Sequence, residues 1–199
     1  MKKKLNFIEF FFYKTLISLA NKLRDYTYAK YSRVNPFIED LTDWKERGKY
    51  LFGKENVTVY GSSNISGNIE VGENTWIGPY TALDGSGGLI IGKNCSISSK
   101  VNIVSHDTIK WALSGGLEGY EHAPIRIGDN CFIGTGAFIG KGVSIGNNCL
   151  VAANSVVTND FDDFSIIGGI PGKKIGKVLV TDDKKVKLVF NSDSNLKNT

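Results

Sequence analysis

Aliphatic residues recur at every sixth position along most of this chain: Val59, Ile65, Val71, Ile77 and Leu83, then Ile91, Ile97 and Ile103, then Ile127, Ile133, Ile139, Ile145, Val151 and Val157. A helix repeats at about 3.6 residues and an extended strand at about two, so neither alone yields this period; a short strand followed by a fixed corner does. Two positions before the aliphatic residue the side chain is small or β-branched, as at Thr75, Thr81, Cys95, Val101, Cys131, Ala137, Val143, Cys149 and Ser155. Positions two apart in a strand share a face, so both sets point inward. Glycine often comes next, at Gly72, Gly78, Gly92, Gly128, Gly134, Gly140 and Gly146, where a missing Cβ relieves crowding at the corner. Three strands to a turn return the chain to the same wall after about 18 residues, which stacks Cys131 and Cys149 on adjacent coils. The pattern predicts a mainly β fold, a three-sided parallel solenoid of about five coils filled by side chains.

Two breaks interrupt the rhythm. The first, "DGSGG" at Asp84 to Gly88, lengthens one step and reads as a corner bulge. The second separates Ile103 from Ile127 and opens with "NIVSHDTIKWALSGG". A solenoid extrudes such an insertion without disturbing its stack, often on a functional face. Ahead of the repeat, the aromatic-rich stretch 6–51 contains Pro36 and lacks the period. It predicts two helices, about Phe7 to Tyr31 and Ile38 to Leu51, covering the open first coil, whose unpaired edge invites aggregation. For "FIEFFFYKTLISLANKL" the alternative is an interfacial helix in peripheral contact with a membrane. The expected layout is a helical cap over 1–56, the solenoid over 57–178 with an extruded loop at 104–124, and a C-terminal tail over 179–199, frayed from Asn191 onward.

Composition narrows the function. With 41% hydrophobic and 22% charged residues the chain is an ordinary soluble globular protein. Its net charge of +4, with lysines gathered toward the two ends, is too sparse for a nucleic-acid-binding face. The three cysteines form no CxxC motif and all fall in the inward slot, so they read as small buried hydrophobes in a reducing cytoplasm. Glu9 and Lys14 interrupt the apolar start, no small-residue cleavage site follows, and the run falls short of the roughly 18 residues of a membrane span.

The run "APIRIGDNCFIGTGAFIGKGVSIGNNCLVAANSVVTND", followed by "GGIPGKKIGKV" and preceded by a histidine-bearing loop, resembles the hexapeptide-repeat acetyltransferases, especially the galactoside, maltose and bacterial surface-glycan O-acetyltransferases. The resemblance covers about Val57 to Val178. It implies a left-handed parallel β-helix, a homotrimer with active sites between subunits, and acetyl-CoA as the acyl donor, with no metal. The cysteine usage points to a cytoplasmic protein, and the alternative reading of the N-terminal helix would put it at the inner face of the membrane. By resemblance, His106 is the general base: a sugar hydroxyl is a poor nucleophile at neutral pH, and an imidazole takes its proton as the oxygen attacks the thioester. The backbone N–H of Thr135 is then the oxyanion donor. Phe132 lines the coenzyme and acceptor channel, Ala153 meets the pantetheine arm, Thr158 and Lys173 lie near the nucleotide end, and Asp84 is an acidic acceptor contact. The chain departs from the sugar-specific members at Pro79 beside Tyr80, where an asparagine contacts sugar, at Asn159 in place of a lysine, and at Gly176 in place of an arginine.

The loop residues carry their own chemistry. Trp111 offers a ring to the apolar face of a sugar and Glu121 a carboxylate to its hydroxyls; equally, Trp111 could anchor the loop on the prism wall. Asp107 neighbours His106 in an extended strand and so points away from it, leaving a backbone carbonyl or another carboxylate to orient the imidazole. His122 reads as a loop residue. The function expected is acetyl-CoA-dependent O-acetylation of a sugar hydroxyl in a bacterial surface polysaccharide or its precursor. The alternative is N-acetylation of a nucleotide-linked amino sugar, whose lone pair needs less help from a base. A β-helical carbonic anhydrase requires three histidine ligands, and the chain has two histidines. A scaffold or ice-binding prism calls for an unbroken helix or a flat outward ladder of threonines, and the long loop argues against both.

Overall fold

A computed structural model describes residues 6–191. The chain divides after Asp43 into two compact units. The first contains helix α1 (Phe7–Tyr31) and the short α2 (Phe37–Leu41). At the start of α1 the Asn6 side chain accepts the Glu9 N–H while the Glu9 carboxylate accepts the Asn6 N–H, a capping box that uses two otherwise orphaned donors. The helix ends at Ser32, in the left-handed region. Within this unit, Thr27 Oγ1 and Asn35 Nδ2 both donate to Asp40 Oδ1 at 3.1 Å, tying the end of α1 to α2.

The expected second helix, Ile38 to Leu51, is broken in two. Thr42 is extended, and its hydroxyl donates to the Ile38 carbonyl at 2.6 Å. Such a side-chain bond competes with helix continuation. The chain then re-enters a helix, α3 (Trp44–Phe52), which belongs to the second unit with the solenoid. Leu51 and Phe52 pack on the solenoid core. Gly48 lies so close to the first coil that a Cβ there would sit 1.9 Å from the Val57 carbonyl oxygen. Trp44 stacks on Tyr60, which meets Trp76 edge-on, and the Arg47 guanidinium donates to the carbonyls of Tyr60 and Ser63. The open end of the prism is thereby covered by α3.

The solenoid has three walls of parallel strands. The first stacks Thr58–Val59, Trp76–Ile77, Ser96–Ile97, Phe132–Ile133, Leu150–Val151 and Ser165–Gly168. The second aligns Ile65, Leu83, Ile103, Ile139 and Val157, and the third Val71, Ile91, Ile127 and Ile145. All fourteen residues of the aliphatic rhythm face the interior; thirteen are buried and Ile65 is half-buried. The register sets Phe132 beside both Ser96 and Leu150, so Cys95, Cys131 and Cys149 form a buried ladder of free thiols. The solenoid makes about six turns. The extra turn lies beyond Val157, where Phe161 bridges to Ile145 and Ser165–Gly168 joins the first wall without keeping the rhythm.

Two corner positions have distinct requirements. At Gly134 an added Cβ would lie 2.5 Å from the Ala153 nitrogen, so glycine there permits the coils to stack. Two residues on, Gly136 has φ +72°, and the equivalent corner positions are filled by Asn130, Asn148 and Asn154 in the same left-handed region, which asparagine tolerates. After the last coil, Lys173–Val180 turns back antiparallel to Ser165–Gly168, and Val186–Phe190 pairs with it. The front of the expected tail is thus a strand hairpin; its last residues, 192–199, lie outside the described residues.

Because the inward column carries the packing, Ile133→Ala should lower unfolding free energy by about 2–5 kcal/mol. The outward Arg126→Ala should change it by less than about 0.5 kcal/mol. Equilibrium denaturation at one fixed protein concentration checks both.

Candidate active site

The two breaks in the rhythm meet in space. Strand Ala82–Ile91 runs unbroken through the first break, and its register pairs Leu83 with Ile103 and Asp84 with Val104. The stack therefore sets the Asp84 carboxylate beside the chain entering the second break. His106 Nδ1 lies 2.7 Å from Asp84 Oδ2. The same oxygen accepts the Ser105 N–H at 3.0 Å, the Ser105 hydroxyl at 3.2 Å and the Ser86 hydroxyl at 3.0 Å, while Oδ1 accepts the Ser86 N–H. Fully buried Ser105 also accepts the Gly87 N–H on its hydroxyl, tying the bulge to the loop base. Burial pushes the Asp84 carboxyl upward, but the hydrogen bonds from His106, Ser86 and Ser105 more than offset it and bring the pKa down to about 2.

That balance determines the tautomer. A carboxylate ionised at neutral pH can only accept, so Nδ1 carries the imidazole proton and shares it with Asp84 and with Ser86 Oγ, 3.0 Å away. In the neutral imidazole Nε2 then holds the lone pair; it has no hydrogen-bond partner among the described residues, and the side chain is 34% exposed. An oriented imidazole with one free basic nitrogen is able to take a proton from a ligand.

The extruded loop is a braced ribbon. His106–Asp107 pairs antiparallel with Glu121–His122, and the rings of His106 and His122 stack with centroids 5.8 Å apart. A short helix α4 (Ile109–Leu113) forms the tip, where Trp111 meets Tyr120 edge-on. Asp107 points away from His106 and pairs with Lys141, which also binds Glu121; Lys110 holds Glu121 from the other side. These lysines lower the pKa of Glu121, Lys110 contributing most, and Lys141 lowers that of Asp107. The Glu121 carboxylate is thus engaged in bracing the ribbon, whereas Trp111 remains 45% exposed.

The remaining candidates sit elsewhere on the prism. Thr135 and Ala153 occupy the corner that follows the first wall, on adjacent coils joined by the Asn154 N–H donating to the Thr135 carbonyl. Their own N–H groups donate to no described residue. Phe132 projects from the first wall just before Thr135 and is exposed. Thr158 follows the second wall, and Lys173 opens the returning strand. His106 and Asp84 lie at the far edge of the second wall from Thr135, and no hydrogen bond or ion pair links the two groups within one chain. Among the described residues no cluster of three or more His, Cys, Asp or Glu could hold a metal ion.

Ser86, Ser105, Lys141 and the placement of His122 emerge from the structure. A signal existed for the first two: Ser86 lies in the lengthened step, and Ser105 sits two positions after the inward Ile103, hence on the same face. Nothing in the sequence indicated which carboxylate faces His106, because that depends on which coils are neighbours.

Residues 124–159 match the hexapeptide repeat of succinyl-transferase. The chain is 32% identical over 123 residues to the serine acetyltransferase of Bacillus subtilis, covering 62% of this chain and 53% of that protein. It spans about half the length of the curated relatives it matches. Among solved structures it is similar to a hexapeptide-repeat-containing acetyltransferase of Vibrio cholerae complexed with acetyl coenzyme A (TM-score 0.62, 26% identity, 82% of this chain and 87% of that one). It is also similar to a maltose O-acetyltransferase of Clostridium difficile (TM-score 0.58, 26% identity, 82% and 88%). With the inward aliphatic column and three parallel walls, these likenesses show a left-handed parallel β-helix similar to that of the hexapeptide-repeat acetyltransferases.

Proposed function

We propose that the protein transfers the acetyl group of acetyl-CoA to a hydroxyl of a sugar in a bacterial surface glycan or its precursor. The observation that carries this reading is the Asp84–His106 pair, which holds Nδ1 protonated and leaves Nε2 basic. A hydroxyl, unlike a free amine, must lose its proton as it attacks, and that is the step this arrangement assists. The likeness to a structure with bound acetyl coenzyme A supports the donor, and that to a maltose O-acetyltransferase supports an oxygen acceptor.

In this mechanism Nε2 of His106 takes the acceptor proton while the oxygen attacks the thioester carbonyl. Asp84 stabilises the imidazolium that forms, as a positioning residue. The tetrahedral oxyanion is met by a Thr135 N–H. The intermediate collapses, the carbon–sulfur bond breaks, and His106 returns the proton to the departing thiolate. Phe132 and Ala153 flank the pantetheine, while Thr158 and Lys173 hold the nucleotide end, where lysine suits phosphate as a point charge. The separation of Thr135 from His106 within one chain fits a homotrimer in which the corner of one subunit faces the loop of the next. Trp111 offers an aromatic face to the sugar. Three buried free thiols suit a reducing, cytoplasmic setting.

With acetyl-CoA and a panel of glycans, wild-type protein should release CoA and yield a product whose acetyl group is removed by hydroxylamine, as an ester is and an amide is not. His106→Ala should slow this turnover by about 100- to 10,000-fold. Undiminished turnover would exclude His106 as the base, and a hydroxylamine-stable product would favour the amino-sugar reading.

Asp84→Asn places an amide N–H within reach of Nδ1 and so favours the wrong tautomer. It should lower kcat by about 100-fold or more with little change in KM, and Asp84→Glu should restore part of the loss. Because the Asp84 pKa is depressed, its stabilising contribution is present above the unfolded value of about 3.9 and is lost as pH falls toward about 2. The stability difference between wild type and Asp84→Asn should therefore be constant from pH 5 to 7 and shrink only below about pH 4, as followed by denaturant titration at each pH.

A further inference from the structure

Helix α1 leaves its largest apolar side chains uncovered. Ile8, Phe12, Leu16 and Leu19 are 65%, 66%, 49% and 44% exposed, and at about 100° per residue they share one side of the helix with Leu23. Lys14, Ser18 and Asn21 lie on the opposite side, and Lys22 flanks the apolar one. Phe7, Phe10 and Phe11 lie on that same opposite side, so the first turns of α1 are apolar nearly all round, and the Lys14 ammonium lies over the Phe10 ring. Within α1 only Thr27 is buried, near the end where α2 packs.

Charge identifies what would cover this face. Residues 1–31 hold seven lysines and arginines against two acids, whereas the rest of the chain holds 17 against 18. The net positive charge of the protein therefore resides in this segment. A second copy would bring the same charge and be repelled; an anionic bilayer surface would attract it. No helix among the described residues is long and apolar enough to cross a membrane. We propose that α1 is an interfacial helix that docks the protein on an anionic bilayer surface. Its apolar side enters the headgroup boundary, while the lysine stems lie along it and hold the ammonium groups at the level of the lipid phosphates. This inference is independent of the acetyl-transfer reading.

The test is co-sedimentation of the full chain with phosphatidylcholine vesicles, plain or containing about one third phosphatidylglycerol, at low and high salt. The protein should sediment with the anionic vesicles about tenfold or more better than with plain ones, and added salt should release it. The doubly substituted Phe12→Ala, Leu16→Ala chain, which keeps good helix formers, should bind about tenfold or more weakly with unchanged circular dichroism. Lys14→Ala and Lys22→Ala should each weaken binding about fivefold. Failure to sediment with anionic vesicles at low salt would overturn the proposal, as would equal binding by the Phe12, Leu16 variant. A lipid-free assembly of the wild type that the same variant loses would assign the face to another copy of the chain instead.

Discussion

Successive coils of the solenoid lie backbone against backbone, so closely that a methyl group at Gly134 would enter the chain above it. This contact governs the rest of the molecule. It favours an inward aliphatic residue in each wall strand, it spends the strand N–H groups on the neighbouring coil, and it leaves an inserted segment no direction but outward. Each coil also inherits its register from the one beneath. A departure from the rhythm in one coil is therefore delivered to a fixed position beside its neighbour, and the bulge at Asp84 meets the loop base at Ser105 and His106 for that reason.

Rigidity and reactivity are thus supplied by different parts of one continuous chain. Ile103 anchors the backbone that leads to His106, and Leu83 anchors the backbone that carries Asp84; both are buried in the same column. The carboxylate between them collects donors from Ser86, Ser105 and His106, and this crowd of donors outweighs the cost of partial burial. The loop beyond is held by charge: Lys141, itself at a corner of the prism, grips Asp107 and Glu121 on the two strands of the ribbon. Histidine orientation, loop placement and the prism are consequently coupled.

Much of the fold was legible in the sequence because a six-residue period admits few structures and marks the inward column, whereas the buried Ile166 and Ile167 of the last turn lie off that beat. α1 was legible from its boundaries, whereas the break at Thr42 was not, since a single hydroxyl-to-carbonyl bond decides it. The returning strands at Lys173–Val180 and Val186–Phe190 escaped notice because they follow alternation rather than the six-residue beat. In the site, His106 stood out by its place at an interruption. Asp84 was assigned to the acceptor by resemblance, while the structure sets its carboxylate on the imidazole, a pairing that depends on the coil register. Glu121 was read as an acceptor contact, and its pairing with Lys110 and Lys141 was not legible, because ion pairs across a ribbon and a corner leave no trace in linear spacing.

The proposed transfer depends on the position of one proton. Nitrogen NMR of the protein labelled in its histidines, with His106 assigned by comparison with His106→Ala, reports directly which ring nitrogen is protonated in the neutral imidazole. The Asp84 contact predicts a protonated Nδ1 and an unprotonated Nε2 for neutral His106, with the preference lost in Asp84→Asn. A neutral His106 protonated on Nε2 in the wild type would contradict the arrangement and with it the role of His106 as the base.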